Sequence, residues 1–295
     1  MTRNTLIVLA VMLATAGLRA EDVEDAEAAK EAGSAKETKF VQRPLDEDWQ
    51  IPADKEKFHV FLLYGQSNMA GGIKPWQPGH LLPEDKIPTP HLLQVRSGRP
   101  LSVTGGWFPA VHPLHDRPGR PNSFGLGIPF AKEYMKRNPG ITVGLLPCAY
   151  GGKRMDLLKE GSGLYREAIE RCKFAQKTGT IKGILWHQGE SDAFNEERAA
   201  TYEEKLHQLV AAFRKELGIP NLPFISGEIT LKYPKTNPVQ VANRTLPEKV
   251  KNTGWVTIEG LTFIDGDKQT HFDRESYIKL GWRYCDALMK VMAKD

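Results

Sequence analysis

Cysteine is scarce in this 295-residue chain: only Cys148, Cys172 and Cys285 occur, without metal-ligand spacing. So sparse and odd a set is not a disulfide framework, and buried free thiols are expected instead. Charge of one sign is also scarce. The net charge is +4, with no dense basic stripe interleaved with aromatics, so nucleic acid is not an expected partner. A helical His-Glu-x-x-His zinc motif is absent, and Gly125 with Gly127 falls short of a dinucleotide fingerprint. His112-Pro113-Leu114-His115-Asp116 gathers three possible metal ligands, but Pro113 keeps the two histidines off a regular helix. The expectation is therefore no metal and no cofactor. Beyond the N-terminus, no apolar run is long enough to span a bilayer, so no membrane span is expected in the mature chain.

The first twenty residues have the order of a secretory signal peptide. Arg3 precedes an apolar segment at 6–13, and the small residues Ala14, Ala16 and Ala20 follow. Cleavage after Ala16 or after Ala20 fits this pattern, and a secreted or periplasmic location follows. Residues 21–45 are dominated by Glu, Asp, Ala and Lys, with few large apolar side chains. Such a stretch buries too little surface to offset the entropy of ordering, and reads as a charged flexible linker. Residues 46–295 have the composition and length of one α/β domain.

Within that domain, short apolar runs alternate with helical patterns. Strands are expected at 58–64, 141–146, 181–186, 222–229 and 255–258, and helices at 164–176, 196–217 and 276–292. This alternation predicts crossover connections and a mostly parallel sheet covered on both faces. Ligand sites in such sheets lie beyond the carboxyl ends of the strands. The polar clusters of the chain fall there: Ser67 after the first strand, Gly151-Gly152 after the next, and Glu190 after a third. The stretch 73–122 is rich in Pro, Gly and His with little periodicity, and is expected to be a long loop walling a cleft.

Ser67 lies in Gly65-Gln66-Ser67-Asn68-Met69-Ala70-Gly71, a tight turn between a buried strand and a helix. A serine nucleophile requires a base, an acid that orients the base, and oxyanion donors. His271, just before the last helix, is the candidate base. Asp267, Asp265, Asp273 and Glu190 are carboxylates that compete to orient it, although Asp273 also suits a helix cap and Asp192 a turn or cap. Gln66 and Gln188 are side-chain amides at strand ends, suited to donate to an oxyanion, as is the backbone N–H of Gly125. Arg154 and Lys153, after the double glycine, suit an anionic or hydroxylated ligand.

Five blocks occur in order: Gly65 to Gly71, residues 116–130 with Gly125, Pro147-Cys148-Ala149-Tyr150-Gly151-Gly152, Trp186-His187-Gln188-Gly189-Glu190-Ser191-Asp192, and His271-Phe272-Asp273 with Leu280-Gly281. Together they make the chain resemble the sialate O-acetylesterase-like branch of the SGNH hydrolases, which includes carbohydrate acetylesterases. The resemblance implies a three-layer α/β/α sandwich with a central, mostly parallel sheet. It also implies Ser67 as nucleophile, His271 as base, and the Ser67 N–H, Gly125 and the Gln188 region as oxyanion donors. The implied substrate is an acetylated carbohydrate, with other acyl esters, or binding without catalysis, as alternatives. The family usually carries an aspartate three residues before the histidine. Here that position is Lys268, and Asp267 lies one residue further back, which leaves Asp267 and Glu190 as competing acids.

Overall fold

The computed structural model describes residues 45–72, 81–97, 101, 106–115, 124–230 and 232–294. The expected signal peptide and all but the last residue of the linker lie outside them. Seven strands form a single sheet in the order β3-β2-β4-β1-β5-β6-β7. They are β1 (Phe58–Gly65), β2 (Leu92–Gln94), β3 (Phe108–Pro109), β4 (Thr142–Ala149), β5 (Thr180–His187), β6 (Phe224–Gly227) and β7 (Thr253–Val256). Every pairing is parallel except that of β2 with the edge strand β3.

β1 shows why these runs are apolar throughout rather than alternating. Successive side chains on a strand point to opposite faces. Val60, Leu62 and Tyr64 enter one apolar core, while Phe61 and Leu63 enter the other. Helices α3 (Gly163–Ala175), α6 (Tyr202–Leu217) and α7 (Pro238–Lys249) close the first core through residues such as Ala168, Leu206, Phe213 and Leu246. Helices α2 (Gly127–Arg137) and α8 (Arg274–Met292) close the second, where Phe130 and Tyr134 pack edge-on against Phe61 at 4.9 and 4.8 Å. The three-layer α/β/α arrangement is the one expected.

Three local expectations need correction. Part of the presumed loop at 73–122 is sheet, because Leu92, Leu93 and Gln94 add β2 to the edge of β4. The expected helix at 196–217 is two helices, α5 (Glu196–Ala200) and α6. Between them the Thr201 hydroxyl donates to the carbonyls of Glu197 and Arg198, diverting groups that a continuous helix would use. The last helix begins at Arg274, two residues early, because Asp273 caps it by accepting from the Ser276 N–H at 2.8 Å. The remaining short helices flank the site: α1 (Ser67–Ala70) and α4 (Glu190–Ala193). All three cysteines are buried thiols. Among the described residues, no helix is long and apolar enough to cross a membrane.

Candidate active site

The two strands beside β1 come from later, separate parts of the chain, so the carboxyl ends of β1, β4 and β5 converge where the strand order switches. β1 runs out at Gly65, and Ser67 opens α1 as a half-exposed residue among buried neighbours. Gly151, after β4, packs against it: a Cβ placed there would stand 3.9 Å from Ser67 Cβ. The segment before α8 supplies the histidine. His271 Nε2 lies 3.1 Å from Ser67 Oγ. On its other side, His271 Nδ1–H donates to Asp267 Oδ2 at 2.6 Å, and the His271 backbone N–H donates to the same oxygen at 3.1 Å. This pairing leaves the Nε2 lone pair facing the serine hydroxyl.

The loop that joins Asp267 to His271 has an unusual backbone. Lys268 and Gln269, neither of them glycine, both adopt left-handed conformations, with φ of 49° and 57°. Such a conformation costs an ordinary residue about 1–2 kcal/mol. Across this double left-handed turn, an aspartate four positions back reaches the imidazole.

Glu190 makes no hydrogen bond to His271; the imidazole is held by Asp267. Glu190 Oε1 accepts from Asn68 Nδ2 at 2.9 Å. Burial pushes its carboxyl above the usual range, against the opposing pull of the Asn68 hydrogen bond. Burial likewise raises Asp192, which is not a helix cap: its Oδ2 accepts from the Met155 N–H and from Gln188 Nε2. Gln188 also departs from the expected role of oxyanion donor. Its Nε2 donates to the Lys153 carbonyl and to Asp192, and its Oε1 accepts from Tyr202. Both amide hydrogens are thus engaged in holding the loop after β4 to α4. Gln66 Oε1 faces the Ser191 N–H at 3.5 Å.

Gly125 is drawn to the site by close packing. A Cβ there would lie 3.0 Å from the Ala70 carbonyl oxygen, so glycine lets residues 124–126 press onto the end of α1. Gly72 meets the same demand from the other direction, because a Cβ on it would overlap the His271 ring. Arg154, half-buried, occupies the position before the short 3-10 turn Met155–Leu157, just beyond Gly151 and Gly152. His112 is buried and stacked on Phe124 at 4.2 Å, and His115 is buried as well. Asp116 lies outside the described residues, and among those described no three His, Cys, Asp or Glu side chains gather as a metal site.

Two residues of the site escaped sequence reasoning: Asn68 and Tyr277. Asn68 was visible inside the serine motif, but its partners Thr270 and Tyr277 are more than 200 positions away.

A polar cluster at the carboxyl ends of the strands of a layered α/β domain is where such folds place their ligand sites. The chain belongs to the carbohydrate esterases of the sialic acid-specific acetylesterase family, whose model matches residues 57–290. It is 30% identical over 243 residues to the probable carbohydrate esterase At4g34215 of Arabidopsis thaliana, covering 78% of this chain and 90% of that one. The X-ray structure of the Arabidopsis protein superposes with a TM-score of 0.67 at 29% identity, covering 79% of this chain and 98% of that one. NanS superposes at 0.65 with 15% identity, covering 83% and 100% of the two chains. XAC1771, a carbohydrate acetylesterase from Xanthomonas citri, superposes at 0.58 with 20% identity, covering 80% of this chain and 57% of that one. At these two lower identities the likeness is one of fold. The protein is a carboxylic ester hydrolase of the carbohydrate esterase type.

Proposed function

We propose that this carbohydrate esterase is an exported serine esterase that removes O-acetyl groups from sugars through an acetyl-enzyme. The observation that carries the reading is the placement of His271 between Ser67 Oγ at 3.1 Å and Asp267 Oδ2 at 2.6 Å. Ser67 Oγ attacks the acetyl carbonyl as His271 Nε2 takes its proton, and Asp267 stabilises the imidazolium that forms. The backbone N–H groups of Ser67 and Gly125 are the proposed donors to the oxyanion. Collapse of the tetrahedral intermediate breaks the bond to the sugar oxygen, which receives the proton from His271. Water, deprotonated by His271, then attacks the acetyl-enzyme; acetate leaves and Ser67 regains its proton.

The family to which the chain belongs supports an acetylated sugar as substrate. Arg154, on the rim beyond the double glycine, is the proposed contact for an anionic or hydroxylated part of it. The test is turnover of p-nitrophenyl acetate and of an O-acetylated sugar by the wild type, Ser67→Ala and Asp267→Ala. Ser67→Ala is expected to lower kcat by about a thousandfold or more, and Asp267→Ala by roughly 10²–10⁴-fold. A folded Ser67→Ala variant that keeps its activity would sink the reading.

A further inference from the structure

Asn68, the residue after the proposed nucleophile, is 1% exposed and has each hydrogen-bonding group of its amide paired. Its Nδ2 donates to Glu190 Oε1 at 2.9 Å and to the Thr270 carbonyl at 3.0 Å. Its Oδ1 accepts from the Tyr277 hydroxyl at 2.9 Å. The orientation of the amide is set by the Thr270 carbonyl, which can only accept, because the flipped form would set oxygen against oxygen there. The Tyr277 hydroxyl also accepts from the Gly72 N–H at 2.9 Å, and Gly72 is the residue packed against the His271 ring. One side chain therefore joins four segments: the Ser67 turn, the residue preceding His271, the start of α8 and the start of α4.

Resting on the reading of Ser67 and His271 as nucleophile and base, we propose that Asn68 is the positioning residue that locks the two together, with Glu190 as its hydrogen-bond acceptor. Ser67 reaches the site on a four-residue helix, and His271 reaches it on a loop with two left-handed residues. Without Asn68, the serine turn loses its ties to the Thr270 carbonyl and to Tyr277. A misplacement of about 1 Å between reacting groups costs on the order of a hundredfold in rate. The role assigned to Glu190 requires an acceptor oxygen but not a negative charge. Burial, which favours the neutral carboxyl, is compatible with that requirement.

The test is steady-state kinetics on p-nitrophenyl acetate, with the rate of Ser67 phosphonylation by a fluorophosphonate as a second readout. Asn68→Ala is expected to lower kcat by about 10- to 100-fold, keep KM within about threefold, and slow phosphonylation in parallel. Glu190→Gln, which keeps an acceptor oxygen, is expected to be at least about tenfold more active than Glu190→Ala. Tyr277→Phe removes only a hydroxyl and is expected to lower kcat several-fold; it carries the test if Asn68→Ala does not fold. The inference is overturned if folded Asn68→Ala, or Tyr277→Phe in its place, keeps kcat within about twofold of wild type. It is also overturned if Glu190→Gln is as inactive as Glu190→Ala, since Glu190 would then act through its charge. Ser67→Ala, assayed alongside, separates the two levels: activity there defeats the nucleophile reading, whereas its inactivity beside an unimpaired Asn68→Ala defeats only the positioning role.

Discussion

His187 ends β5 fully buried, with Nδ1 against the Tyr284 hydroxyl at 3.1 Å and its ring edge-on to Phe272. Tyr284 gives its proton to the Trp186 carbonyl, so His187 Nδ1–H donates to Tyr284 and the imidazole is held neutral. Burial alone pushes its pKa down to about 3 from an ordinary 6.5. The unfolded chain takes up this proton below about pH 6.5 and the folded one does not, so stability is lost as pH falls through that window. The slope for one such group approaches about 1.4 kcal/mol per pH unit. Glu190 and Asp192, raised by burial, act with the opposite sign above the ordinary carboxylate range, because there the folded state binds protons first. Urea unfolding of wild type against His187→Gln isolates the histidine. The difference is expected to shift in favour of the variant from about pH 6.5 downward; a pH-independent difference would contradict it. At this scale the sequence was most readable where a residue's role is local. Ser67, His271 and Asp267 each sit in a short motif after a strand or before a helix, and the structure brings all three together. Gln188 shows the limit. A strand-end amide reads as an available donor until Asp192, Lys153 and Tyr202 are seen to absorb its capacity.

Elements were legible in proportion to their apolar periodicity. β1, β4 and β5 are continuous buried runs, and their expected spans match within a few residues. β2 and β3 are three and two residues long and interrupt a Pro-rich stretch, so no period marks them. α7 carries Pro238 in its first turn and Pro247 within its last, which hides its periodicity. The start of α8 was misjudged because Arg274 and Glu275 are polar and only Ser276 and Tyr277 turn inward. The Asp273 cap also ties this helix to the segment that precedes the Asp267 loop, since its carboxylate accepts from the Thr262 hydroxyl. Asp273→Ala is expected to cost about 0.5–2 kcal/mol in urea unfolding, and Asp273→Ser to recover much of that. No loss in the alanine variant would show that the cap contributes nothing to stability.

At the scale of the whole molecule, the order β3-β2-β4-β1-β5-β6-β7 puts β1 between two strands supplied by later segments. This placement carries three distant motifs to the carboxyl end of the sheet, the convergence expected from polar clusters that each follow a strand. Export belongs to this scale as well. Expression with the first twenty residues intact in a secreting host is expected to yield a chain beginning at Gly17 or Glu21; an N-terminus at Met1 on the recovered protein would contradict export by this peptide. The central claim is that Ser67 carries the acyl group, and rapid acid quench during turnover of an acetyl ester, followed by peptide mass spectrometry, addresses it directly. One acetyl group is expected on the peptide containing Ser67, lost in Ser67→Ala and decaying as substrate is consumed. Acetylation confined to another residue, with Ser67→Ala still turning over, would contradict it.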